Sequence, residues 1–450
     1  MNNPAQSASH LAPPAPVTRW QALLYWLKLG FISFGGPAGQ ITIMHQELVE
    51  RRRWISERRF LHALNYCMVL PGPEAQQLAT YIGWLLHGTW GGILAGALFV
   101  LPSLFILIFL SWVYMAFGNV PTVLGLFFGI KPAVTAIVIF AAYRIGSRAL
   151  KNGVLQSMSV AAFISVFAFN IPFPYVVAVA GFIGYIGGYI APEKFKVGGG
   201  HHALEKSFGP ALIDDATPTP EHALFKWSRF WMFVVTGLGL WVGAMGLLIA
   251  HYEWEGAFTQ MGWFFTKAAL LTFGGAYAVL PYVYQGAVEH YHWLNPAQMI
   301  DGLALGETTP GPLIMVVAFV GFVGAWSQTV SPDSLALAGV MGACVATLFT
   351  FLPSFLFILI GGPLIETTHN EIAFTSPLTG ITAAVVGVIL NLAVFFSWHV
   401  LWPNGFGGSF EWMSAAISLA GIVALFRFKA GVIPLIACSG IAGLLYTFLI

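Results

Sequence analysis

The sequence predicts an all-α polytopic membrane protein built as two inverted-topology repeats with re-entrant or broken helices, and three observations predict it. The 450 residues are 58% hydrophobic and only 8% charged, more apolar surface than one soluble core can absorb. Glycines and prolines interrupt the apolar runs at positions that recur in the second half of the chain. Basic residues crowd some connections and are missing from their counterparts.

Composition excludes several classes. Fifty glycines let helices approach closely, and 38 phenylalanines with 16 tryptophans suit lipid-facing surfaces and interfacial belts. A formal net charge of +1 offers nothing to a nucleic acid. Cys67, Cys344 and Cys438 stand alone in apolar segments, without zinc or disulfide spacing, and read as packing residues. No GxxxxGK[ST], HExxH or GxSxG pattern occurs. No enzyme, metal site or cofactor is therefore expected.

The elements follow in order. Residues 1–19 read as a disordered tail, without the basic region, apolar core and cleavage site of a signal peptide. The first repeat, 20–191, holds apolar segments at 20–50 with a break at FGG, 60–87 with a break at PGP, 90–117, 121–148, 154–169 and 174–191. A linker over 192–228, rich in glycine, proline and charge, is expected to be flexible and cytoplasmic. One unpaired apolar segment, 229–250, reads as a connecting transmembrane helix. The second repeat, 257–450, holds segments at 257–283, 297–326, 335–362, 375–398, 411–426 and 429–450.

Duplication is visible residue by residue. A shift of 239 aligns KLGFISFGG at 28–36 with KAALLTFGG at 267–275, Trp54 with Trp293, and PGP at 71–73 with PGP at 310–312. After twelve extra residues in the second copy, LPS at 101–103 meets LPS at 352–354. General hydropathy would not keep rare proline and glycine positions in step.

A single extra crossing between two copies turns the second upside down. The charges test this separately, because basic residues stay on the cytoplasmic side. The connection ELVERRRWISERRF carries five arginines, and its mate GAVEHYHWLNPAQM has no Lys or Arg. With re-entrant hairpins turning at FGG and PGP, every Lys and Arg becomes cytoplasmic except Lys28, Lys131 and Lys267, which lie at membrane depth. The N-terminus is then cytoplasmic and the C-terminus periplasmic.

Hairpins that stop inside a membrane leave helix ends there, with free N–H groups that suit anions. PGP admits two readings: a proline kink for packing, or the start of a half-helix whose N-terminus faces a central site. Under the second, Gln76 and Gln77 donate to an oxyanion, while Gly72 and Gly311 in the PGP turns and Gly35, Gly36, Gly274 and Gly275 in the FGG turns let backbone approach it. Lys28 and Lys267 occupy matching positions before FGG and either snorkel or face a shared cavity suited to a small dianion. Glu74 and Glu307 flank the PGP turns as candidates for proton coupling, or else as caps or lysine partners. Lys131 is matched by Thr382, so any role belongs to one copy; Asp301 and His62 are expected at the membrane surface, and His201 with His202 in solvent.

The stretch FGGPAGQITIMHQELVERRRWISERRFLHALNYCMVLPGPEAQQLATYIGWLLHGTWGG resembles the N-terminal half of the CHR family of bacterial chromate transporters, in its long two-domain form. FGGAYAVLPYV through LALGETTPGPLIMVVAFVGFVGAW resembles that family's second domain. The resemblance covers essentially the whole chain. It implies a multi-pass inner-membrane exporter of chromate, driven by the proton motive force and conferring chromate resistance, with sulfate as competitor. Physics alone reaches an inverted-repeat anion transporter; sulfate or another oxyanion as cargo and a passive anion channel stay open. A membrane oxidoreductase reducing Cr(VI) finds no haem ligand pair, flavin site or cysteine pair here. The bilayer, chromate and protons are the expected partners, no nucleic acid is, and a homodimer is left open.

Overall fold

The computed structural model describes residues 14–34, 36–195, 208–328, 334–367 and 375–449. Gly35, His201, His202, the first 13 residues and the remainder of the linker at 196–207 lie outside them. Every regular element described is helical. The chain runs α1 (Arg19–Ile32), α2 (Gly36–His45), a π-helical turn (Gln46–Arg51), α3 (Glu57–Val69), α4 (Glu74–Phe117), α5 (Pro121–Ala149), α6 (Gly153–Phe169) and α7 (Phe173–Ile190). Trp227–Tyr252 forms α8. The same succession then recurs: α9 (Ala257–Leu271), α10 (Ala276–Tyr284), a π-helical turn (Gln285–His290), α11 (Pro296–Thr308), a 3₁₀ turn (Leu313–Met315) leading into α12 (Val316–Gln328), α13 (Leu335–Thr367), α14 (Thr375–Leu401), α15 (Trp412–Arg427) and α16 (Val432–Leu449). Seven of the described helices are long and apolar enough to cross a membrane. The protein is an all-α polytopic membrane protein.

Local chemistry sets the interruptions. Thr18 and Gln21 form a capping box that starts α1, and the helix stops at Ser33, just before the glycine pair. Gly36, Gly274 and Gly275 take φ of 73°, 77° and 99°, and Gly72 and Gly311 take 126° and 109°, values that side chains with a Cβ avoid. The breaks recur at the same spacing as the sequence. Arg53 and His292, 239 residues apart, are both left-handed at φ 51° and 52°, and the N–H groups of Trp54 and Trp293 reach back to Leu48 and Ala287 at 2.7 and 2.8 Å.

Helix α4 spans 44 residues, yet it is two helices joined at a kink, with His87 non-helical and Gly88 at φ 68°. The pieces fold back on each other, so that a Cβ on Gly83 would lie 2.5 Å from that of Ala95, and one on Gly92 would lie 2.9 Å from Thr80 O. Small residues permit that approach. Residues 57–86 thus form a short helical hairpin around PGP, followed by a long helix over 89–117.

The two halves interlock. Helix α5 packs on α15 and α16 of the other half, and its counterpart α14 packs on α6 and α7. Between the halves Arg59 Nη1 lies 2.6 Å from Glu366 Oε2, and Tyr81 donates to the other carboxylate oxygen at 2.5 Å. The linker departs from the expected flexibility over 208–226. Leu212 and Ile213 donate to the carbonyls of Arg53 and Trp54 at 2.9 and 3.0 Å, Ser56 N–H returns to Ile213 at 2.9 Å, and His222 bonds Trp84 O at 2.8 Å. The first three are bonds the arginine-rich loop would otherwise make to water. Helix α8, the unpaired element, leaves most of its surface uncovered by protein, as a lipid-facing helix would.

Candidate functional site

The interrupted segments meet in a reciprocal pattern. Gly72 N–H donates to Thr272 O at 2.7 Å, and Gly311 N–H donates to Ser33 O at 2.7 Å. Each PGP turn is thereby tied to the FGG break of the other half. The two acceptor residues are fixed alike, with Ser33 Oγ on Leu29 O at 2.6 Å and Thr272 Oγ1 on Ala268 O at 2.7 Å. The FGG turns also lie near each other, since a Cβ on Gly275 would stand 4.0 Å from Pro37 Cγ.

Helix ends open here without side-chain caps. In α4 the cap position is Pro73 and the first intrahelical bond comes from Gln77 N–H at 3.0 Å, so the amides of Glu74, Ala75 and Gln76 have no partner within the helix. Gly275 before α10 and Pro312 before the 3₁₀ turn are likewise without side-chain caps. Such ends carry partial positive charge.

Polar side chains surround them. Gln40, Gln76 and Gln77 are fully buried. Gln40 Nε2 reaches Gly311 O at 2.6 Å, Gln77 Nε2 reaches Pro71 O at 2.8 Å, and Gln76 Nε2 reaches Thr80 Oγ1 at 3.1 Å. In all three the Oε1 atom has no partner, and neither do the buried hydroxyls of Ser103 and Ser354. A Cβ built on Gly72 would meet Ser354 Oγ at 2.5 Å, and one on Gly311 would meet Ser103 Cβ at 2.7 Å. Both serines lie in the LPS triplets that align the halves; the pairing was visible, but nothing in the sequence brought those helices to the PGP turns.

The charged candidates are placed differently. Lys28 is exposed, and Lys267 is partly buried with its ammonium 5.5 Å from the Trp263 ring centre. Each lies five residues, about 7.5 Å along a helix, before the bonded carbonyl of its half. Glu74 is half-buried at the first position of α4. Glu307 is buried at the end of α11 and accepts a hydrogen bond from Tyr277. Asp301 departs from the expected surface position: it is 2% exposed, with Oδ2 3.4 Å from Lys131 Nζ and 2.9 Å from Tyr114 OH. Lys131 and Tyr114 come from the first half and Asp301 from the second, so a charge that looked unpaired in each half is paired between them. Among the described residues no group of three His, Cys, Asp or Glu side chains could hold a metal ion.

Broken helices that place their ends and unpartnered polar groups inside an apolar bundle are the construction of proteins that move solutes across membranes. The fold and this junction define a membrane transport protein of that kind. Comparison supplies the family: its model, described as chromate transporter, matches twice, over residues 20–185 and 259–444, and the chain belongs to the chromate transporter family. It is 29% identical over 446 residues to the chromate transport protein of Cupriavidus metallidurans, covering 98% of this chain and 96% of that one. It is 31% identical to that of Pseudomonas aeruginosa over 449 residues, 98% and 95% of the two chains, and 30% identical to a probable chromate transport protein of Synechococcus elongatus over 375 residues, 83% of each. No solved structure matches significantly.

Proposed function

We propose that the chain exports chromate across the bacterial inner membrane as a secondary transporter driven by the proton motive force, and so confers chromate resistance. The observation that carries this reading is the reciprocal pairing of Gly72 with Thr272 and of Gly311 with Ser33. It draws four uncapped or interrupted ends into one junction inside an apolar bundle, a setting whose partial positive charge favours an oxyanion. Family membership supplies the cargo. Donors of this kind separate isosteric tetrahedral anions weakly, so sulfate competes. Gly36, Gly274 and Gly275 let the backbone approach the anion, and Gln76 and Gln77 line the junction. Lys28 and Lys267 lend positive charge along the approach to it. Their replacement by alanine should lower chromate transport severalfold, more at low ionic strength than at high; unchanged transport in the double variant would return both lysines to a purely interfacial role.

Glu74 and Glu307 are the proposed proton carriers, each an acid held beside a PGP turn. Everted vesicles test the coupling. Chromate accumulation should collapse with an uncoupler, and Glu74→Gln or Glu307→Gln should leave a slow flux that ignores the gradient. Full accumulation in the presence of uncoupler would replace the exporter by a passive anion channel.

We further propose that the halves are oppositely oriented in the membrane, with the linker on the cytoplasmic side. Single cysteines introduced at Arg52 and His290 into a cysteine-free background should label from opposite faces. Labelling from one face would overturn the orientation.

A further inference from the structure

We propose that Ser103 and Ser354 are ligands of the transported oxyanion, each donating its hydroxyl hydrogen to one of the anion's oxygens. The inference rests on the oxyanion-transport reading above and adds residues to that same junction.

Hydroxyls within membrane helices ordinarily give their hydrogen to a carbonyl one turn back. Ser33, Thr272, Thr350, Thr382 and Ser397 do so, at 2.6 to 2.7 Å. Such a hydroxyl has no hydrogen left to offer. Ser103 and Ser354 are each 1% exposed and make no such bond. A buried hydroxyl left unpaired costs stability; Ser111, Thr259 and Thr347 are unpaired as well, but Ser103 and Ser354 stand at positions that the repeat matches.

Their placement names the ligand. Each follows a proline inside a long helix, Pro102 in α4 and Pro353 in α13. Each stands against the PGP glycine of the other half, with Ser354 Oγ 2.5 Å from where a Gly72 Cβ would be and Ser103 Oγ 3.1 Å from where a Gly311 Cβ would be. Free helix amides open at those same turns. Hydroxyl hydrogens beside amide hydrogens fit a small anion with several acceptor oxygens. The unpartnered Oε1 atoms of Gln40 and Gln77 nearby are acceptors; they receive a water, or the O–H of a singly protonated oxyanion. Neutral donors also hold a dianion without a fixed ammonium in contact, in keeping with where Lys28 and Lys267 lie.

The test uses the purified full-length chain in proteoliposomes, with initial rates of labelled chromate and labelled sulfate measured against concentration. Ser103→Ala and Ser354→Ala should each raise KM about tenfold for both anions, the scale of one hydrogen bond to a charged group, with Vmax little changed and the melting temperature unchanged or raised. Ser103→Thr and Ser354→Thr should restore KM. Unaltered KM in the alanine variants overturns the inference while wild-type flux keeps the transport reading intact. Loss of transport shared by alanine and threonine variants, with lowered melting, marks a packing role and overturns it as well. A wild-type protein that moves neither anion would instead remove the transport reading.

Discussion

Replacing Gly72 or Gly311 by valine is expected to abolish chromate transport while the protein still reaches the membrane. Both glycines sit at positive φ, 126° and 109°, where a β-branched residue is strained by about 1–3 kcal/mol. Space is lacking too. The new Cβ at 72 would stand 2.5 Å from Ser354 Oγ and 2.7 Å from Gln77 Nε2, and at 311 it would stand 2.7 Å from Ser103 Cβ. Overpacking a tight interior adds roughly another 1–3 kcal/mol. The turn can escape only by moving, and moving breaks the N–H bonds to Thr272 and Ser33 that join the halves. Vesicle uptake and membrane content, measured on the same preparations, check this. Wild-type uptake in either valine variant would show that the turns are not the junction on which transport depends.

The second large effect concerns stability. Lys131→Ala should sharply lower the melting temperature and the amount of folded protein. It leaves Asp301, with a side chain only 3% exposed, facing a single hydroxyl, and removing one partner of a buried ion pair typically costs about 3–5 kcal/mol. That is a large fraction of the roughly 5–15 kcal/mol by which folded domains are stable. Asp301→Asn should cost less, because the Lys131 side chain is 30% exposed and its ammonium can find other partners. The double variant Lys131→Ala/Asp301→Asn should recover part of the loss, since it removes both charges together. Melting in detergent across the four proteins gives the coupling directly. Strict additivity would mean that the two charges do not support each other.

Much of the architecture was legible in the chain because its causes are local. A run of apolar residues is long enough to span or it is not, and a proline–glycine–proline stops a helix wherever it stands. The segment limits at 121–148 and 154–169 therefore lie within a residue or so of α5 and α6. The linker has the composition of flexible segments, whereas Leu212 and Ile213 within it pair their backbone with the loop at 53–56. Composition measures how little a segment can bury, and it is blind to a few specific hydrogen bonds.

Asp301 misled for a related reason. Near the start of a half-helix it looks accessible, and only the arrival of Tyr114 and Lys131 from the other half encloses it. Ser103 and Ser354 were aligned as repeat markers, yet a serine in an apolar helix carries no sign of whether its hydroxyl is already spent on the preceding turn.

From the sequence alone came a membrane-embedded, duplicated helical chain with breaks at FGG and PGP, since hydropathy, turn chemistry and repetition act over a few residues and leave a mark wherever they act. The tertiary structure alone decided that each PGP turn is bonded to the FGG break of the other half, which serines face those turns, and which lysine answers Asp301. These are pairings between residues far apart in the chain, set by how two halves dock. No periodicity or local propensity records the geometry of that docking.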